Sequence, residues 1–169
     1  MRDILDRMSF RPIVHTPRPM RAEIFQPEVM KLDALLLHRS IGQRMEFDDT
    51  RNTLFLNLEA YRVHTHHDVE VVRKAVMTLS EHVGRRISAI INYDAIDIAP
   101  HMADAWFLMA AEVEAQCYDH VSRYSTSAFM RLKLGAALAD RVAASHIFES
   151  PREADMSLRH RHRAAKSGA

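Results

Sequence analysis

Residues 53–92 read TLFLNLEAYRVHTHHDVEVVRKAVMTLSEHVGRRISAIIN, and a change of period inside this stretch decides the fold. It opens on Leu54, Phe55, Leu56 and Leu58, a nearly continuous apolar run of the kind a strand carries when both its faces are covered. Further on, Val69, Val72, Val76, Leu79 and Val83 recur at alternating steps of three and four, which makes one apolar stripe along a helix. Thr65, followed three residues later by Asp68, forms a capping box with Asp in place of Glu, and Gly84 supplies a stop. Arg86 to Asp94, RISAIINYD, then reads as a second buried strand.

Working outward, RMEFD from Arg44 and a turn over Asp48, Asp49, Thr50, Arg51 and Asn52 make a β-hairpin with the strand that follows. Downstream, Pro100 opens a helix whose stripe runs through Trp106, Met109, Val113 and Cys117. SRYSTS (122–127) reads as a strand, AFMRLKLGAALADRV (128–142) as a helix and SHIFES (145–150) as a short strand. Ser150, Pro151, Arg152 and Glu153 form a capping box with Pro at the first helical position, and so begin a final helix. The expected fold is α/β: a mainly parallel sheet with an N-terminal β-hairpin, right-handed crossovers and about four flanking helices. That order is similar to the STAS-like fold, an analogy of architecture that carries no function.

The chain of 169 residues suits one domain with a real core. Residues 1–40 hold Pro12, Pro17, Pro19 and Pro27 among Phe10, Ile13, Phe25 and Met30, so neither a regular helix nor a central strand is expected there. Their apolar content predicts an arm docked on this domain or on a partner. Residues 41–158 are expected to form the single α/β domain, and 159–169 a flexible basic tail.

Lys and Arg (23) nearly balance Asp and Glu (22), and a net charge of +1 gives no field to hold a nucleic-acid backbone. Neither a nucleic-acid nor a membrane partner is expected, since no apolar run spans a bilayer and MRDILDRMSFRP lacks a secretory apolar region. One cysteine, Cys117, fits a reducing compartment, and the expected location is the cytoplasm. The scattered methionines, Met102 and Met109 among them, read as core filling.

Ligands of open parallel sheets collect at the carboxyl ends of the strands. There the sequence places His64, His66 and His67, then Asn92, Asp94 and Asp97, then Ser125, Thr126 and Ser127, and last Ser150. The histidines, with Asn92 and Asp94, are candidate ligand-edge residues. Their bland reading is a solvated loop, because no finger or metalloprotease spacing accompanies them and Thr65 to Asp68 already start a helix. No metal and no cofactor are expected. Ser125, Thr126 and Ser127 sit where a helix follows a strand, the geometry that binds an anion through free backbone N–H groups, with Arg123 and Arg131 adding charge. The bland reading is that one hydroxyl caps the helix. No Walker loop, Rossmann fingerprint or nucleophile elbow is present, and Glu59 at a strand end has no oxyanion hole near it in sequence. No catalytic residue is assigned.

Three stretches carry a resemblance: NTLFLNLEAYRVHTHHDVEVVRKAV (52–76), RRISAIINYDAIDIAPHMADAWFLM (85–109) and VSRYSTSAFMRLKLGAALADRVAASHIFESPREA (121–154). Together, over roughly residues 44–154, they resemble the C-terminal region of bacterial acyl-CoA:acetate and 3-ketoacid CoA-transferases, the propionate CoA-transferase-like group. RYSTSAFMRLKLG followed by HIFES is the most specific part. The resemblance implies an accessory, non-catalytic module, with CoA transfer performed by a glutamate on a catalytic body whose glycine-containing motif is not in these residues. It implies that body, or a homo-oligomer, as partner. This chain departs from the pattern at Ala60, where the resembling proteins tend to carry glycine. The alternative expectation is a STAS-like regulatory or binding module for a protein or a small anionic ligand, although Asn92 to His101 holds no Ser or Thr for a phospho-switch.

Overall fold

The computed structural model describes residues 40–139 and 146–167. The expected arm over 1–40 therefore lies outside the described residues except for Ser40, and so does the end of the helix expected to reach residue 142. In chain order a 3-10 turn at Ile41–Arg44 leads to β1 (Met45–Asp48), β2 (Thr53–Asn57) and β3 (Arg62–Val63), then α1 (His66–Val83), β4 (Ile87–Asn92) and β5 (Asp97–Ile98). A second 3-10 turn at Pro100–Met102 opens α2 (Ala103–Cys117), and β6 (Tyr118–Tyr124), α3 (Ala128–Leu138), β7 (Ile147–Phe148) and α4 (Pro151–Ser167) complete the chain. The main sheet has the order β1-β2-β4-β6-β7, with β1 antiparallel to β2 and every other pair parallel. This is the expected α/β architecture: a hairpin, a mainly parallel sheet and four helices.

Alternation along β4 divides the core. Ile87, Ala89 and Ile91 join Leu54 and Leu56 of β2 in the large cluster that receives Val69, Val72 and Val76 of α1 and Trp106, Met109, Val113 and Cys117 of α2. Ile90 faces the other way, onto Ala154 and Leu158 of α4. Both apolar stripes read from the sequence are the buried faces of their helices. No described helix is long and apolar enough to cross a membrane.

Three local features differ from expectation, the first being that β6 runs over Tyr118–Tyr124 where a strand was expected at 122–127, which leaves Ser125, Thr126 and Ser127 in the loop after it. TLFLNLEAYRV does not run as one strand: the Glu59 N–H donates to Asn57 Oδ1 at 3.0 Å, Ala60 turns with φ 53°, and β3 pairs with β5 in a separate two-stranded sheet. The final helix continues to Ser167, although a flexible tail was expected from residue 159. Its polar residues meet the sheet, since Arg161 donates to the Val121 carbonyl at 3.3 Å and His162 Nε2 lies 2.7 Å from Ser88 Oγ. A tail rich in Arg and His reads as solvated because the pattern of charges does not reveal these partners.

Candidate functional site

The carboxyl ends of β2, β4 and β6 converge with the start of α3, and hydrogen bonds between loops lock them together. Leu58 N–H donates to the Asn92 carbonyl (2.9 Å), Ala60 N–H to the Asp94 carbonyl (3.0 Å) and Tyr93 N–H to the Tyr124 carbonyl (2.9 Å). The buried Asn92 donates through Nδ2 to Asn57 Oδ1 (3.0 Å) and accepts from Asp94 N–H (2.9 Å), so both ends of its amide hold neighbouring loops. These bonds fix the β4 end as a rigid platform.

Asp94 is the centre of the edge. One carboxylate oxygen accepts from Thr126 N–H (2.6 Å), Thr126 Oγ1 (2.9 Å) and Ser125 Oγ (3.0 Å). The donors expected to seat an outside anion are thus occupied by an anion of the chain itself, which corrects the anion-binding reading of Ser125 and Thr126. Proximity decides the matter: a carboxylate delivered by the β4 loop needs no association from solution. Ser127 is the cap of α3, accepting from Met130 N–H at 3.3 Å. Arg131 turns back to donate to the carbonyls of Ser125 (2.9 Å) and Thr126 (3.0 Å) and pairs with Glu149 at 3.2 Å, so it too holds the loop.

Arg123 is also corrected. It is 1% exposed and points into the core, where it pairs with Glu114 of α2 at 2.6 Å and hydrogen-bonds Tyr93. It shares a face of β6 with the buried Val121, two residues back, and that alternation was the signal that it faces inward.

The histidines do not assemble. His64 pairs with Asp97 at 2.7 Å and its carbonyl lies 3.1 Å from His101 Nε2, while His66 and His67 are exposed in the first turn of α1. No group of three metal-ligating side chains occurs among the described residues. Thr65 and Asp68 complete the capping box, with Asp68 accepting from the N–H groups of His64 (3.0 Å) and Thr65 (2.7 Å).

Sequence reasoning missed Arg44, Tyr61 and Glu149. The buried Arg44 donates to the carbonyls of Glu59 (2.7 Å) and Asn57 (3.3 Å) and lies over the Tyr61 ring, tying the β2 turn to the 3-10 segment. Burial, with the nearby Asp68 charge adding to it, pushes the Tyr61 hydroxyl up to about 12, so it stays protonated and donates to the Asp68 carbonyl at 2.8 Å. Burial likewise raises the Cys117 thiol, which keeps it protonated and poorly nucleophilic. Ser88 and His162 form a serine–histidine pair, but Ser88, near the start of β4 beneath α4, is 2% exposed, and a substrate carbonyl has no approach to it.

What the edge leaves open is apolar. Ile96, Ile98, Phe107, Met130 and Leu134 help line a pocket of about 280 Å³ beside α3. On the same helix, outside the pocket's lining, Phe129 and Leu132 are 70% and 75% exposed. No family model, no curated protein and no solved structure matches this chain.

Proposed function

We propose that this domain is a non-catalytic, protein-binding module of a CoA-transferase-like enzyme, docking through α3 onto the body that carries the catalytic glutamate. The observation that carries the reading is the contrast at the strand edge. Ser125, Thr126, Asp94, Arg131 and Glu149 are committed to one another, whereas Phe129 and Leu132 stand in solvent on α3, the helix whose Met130 and Leu134 help line an apolar pocket. Two large apolar side chains left exposed on one helix suit burial against a protein.

Two further points support the transferase as the partner. The most specific part of the resemblance, RYSTSAFMRLKLG, is the segment that supplies the Asp94-bound loop and the exposed face of α3. Ala60, the departure from the resembling sequences, which tend to carry glycine there, has a left-handed backbone with φ 53°, a conformation that favours glycine. The shape of this turn therefore suits the resembling sequences as well as this one.

The experiment is binding between this chain and a transferase polypeptide of that group containing the catalytic glutamate, measured by calorimetry and copurification. The expected result is a stable complex that Phe129→Ser with Leu132→Ser weakens by about tenfold or more, as loss of central apolar anchors does. No complex, or one indifferent to both substitutions, would sink the proposal. Thermal stabilisation by nucleotides in place of binding would point instead to a small-ligand module.

A further inference from the structure

Three elements wall the pocket of about 280 Å³ beside α3: Ile98 of β5, then Pro100, Ala103 and Phe107 at the start of α2, then Met130 and Lys133 of α3. Among the described residues Lys133 is the one charged member of the lining, and the others are apolar. A concave apolar space with a single polar anchor is the usual form of a small-molecule site. Phe129 and Leu132 take no part in it, so it is a different surface from the one proposed for the transferase.

We infer that this pocket binds a free amphiphile with one unbranched aliphatic tail and one anionic head, the tail in the pocket and the head at Lys133. Charge selects the head. Lys133 is exposed and, among the described residues, makes no ion pair. Asp97, beside Ile98, is already held by His64 at 2.7 Å, and Asp104, beside Ala103, is outside the lining. The 3-10 turn at Pro100–Met102 has no side-chain cap, and an anion is favoured at such a helix start. Volume selects the tail. A water takes about 30 Å³ of the liquid and a methylene about as much, so the pocket suits a tail of about eight carbons. Lysine acts as a point charge and does not sort carboxylate from sulfate by shape, so tail length and the sign of the head define the ligand class.

Calorimetric titration of the full chain with butanoate, hexanoate, octanoate, octyl sulfate, octanamide and octylamine tests this. Affinity is expected to rise about fourfold for each methylene from butanoate to octanoate. Octyl sulfate is expected to match octanoate, with octanamide and octylamine weaker. Lys133→Met is expected to weaken octanoate about fivefold and leave octanamide unchanged. Ala103→Leu narrows the space and is expected to weaken both, whereas Phe129→Ser with Leu132→Ser is expected to change neither. The parent protein supplies a second readout that needs no variant: octanoate is expected to move the methyl resonances of Ile98 and Met130. No binding of octanoate, an affinity indifferent to tail length, or octylamine binding as tightly as octanoate overturns the inference. So do unmoved Ile98 and Met130 resonances, or loss of binding with the Phe129 and Leu132 substitutions, which would put the tail on the exposed face of α3. No transferase enters these measurements, so this inference and the proposed function fail separately.

Discussion

Asp94 and Thr126 lie 32 positions apart in the chain, yet the carboxylate of the first accepts both the backbone N–H (2.6 Å) and the hydroxyl (2.9 Å) of the second. The fully buried Ser125 hydroxyl donates to the same oxygen. Removing that oxygen leaves a buried hydroxyl and an N–H without their acceptor. Asp94→Ala is expected to lower stability by about 1–3 kcal/mol, and Asp94→Asn, which keeps an acceptor without the charge, by less. Urea unfolding of the two variants checks the order; an Asp94→Ala protein as stable as the parent would show that the loop is held by other means.

Ala60 has φ 53°, where its Cβ crowds the backbone and glycine does not. Ala60→Gly relieves that strain but adds freedom to the unfolded chain, a smaller effect of opposite sign. The expected net gain is about 0.5–1 kcal/mol, read as a higher thermal midpoint. A lower midpoint would mean that the turn is not strained as described.

Arg123 and Glu114 form an ion pair whose members are 1% and 13% exposed. Taking away one partner strands a charge in the core, so Glu114→Ala is expected to cost about 3–5 kcal/mol. Replacing both, Arg123→Met with Glu114→Leu, removes the stranded charge and is expected to recover most of that loss. A double-mutant cycle by denaturant unfolding measures the coupling, and simple additivity would contradict it.

At Asp68 burial acts to raise the carboxyl, but the Thr65 hydroxyl and the N–H groups of His64 and Thr65 outweigh it and hold the group below its ordinary value of 3.8. Asp155 shows the same balance, burial raising it and Arg51 and Arg159 prevailing. A carboxylate depressed in the folded state binds its proton more readily in the unfolded chain. Its stabilisation is therefore complete above the ordinary carboxylate range and is lost as pH falls through the depressed folded value. Urea midpoints taken from neutral pH downward are expected to drop below about pH 4, and Asp68→Asn to shallow that drop. An acid limb identical in Asp68→Asn and the parent would remove Asp68 from this account.

Much of the fold was legible because the signals that set it are local. The stripe from Val69 to Val83, the caps at Thr65 and Ser150, Gly84 with its left-handed φ of 69°, and the apolar runs of β2 and β4 each act within a few residues of themselves. The edge site was legible only as an address. Asn92, Asp94, Ser125 and Thr126 were placed at one end of the sheet, but which of them would bond to one another depends on loop paths that no period encodes.

The sequence by itself determined the order of elements, the helix ends and the parallel sheet, because propensity, capping and hydrophobic period are properties of neighbouring residues. Tertiary structure alone decided that Asp94 fills the seat before α3, that Arg123 turns inward to Glu114, and that α4 runs on to Ser167 over Ser88 and Val121. Each of those outcomes needs a charge or a polar side chain to find its partner across the fold. A lone Asp, Arg or His carries the same local signal whether it ends in solvent or in a pair.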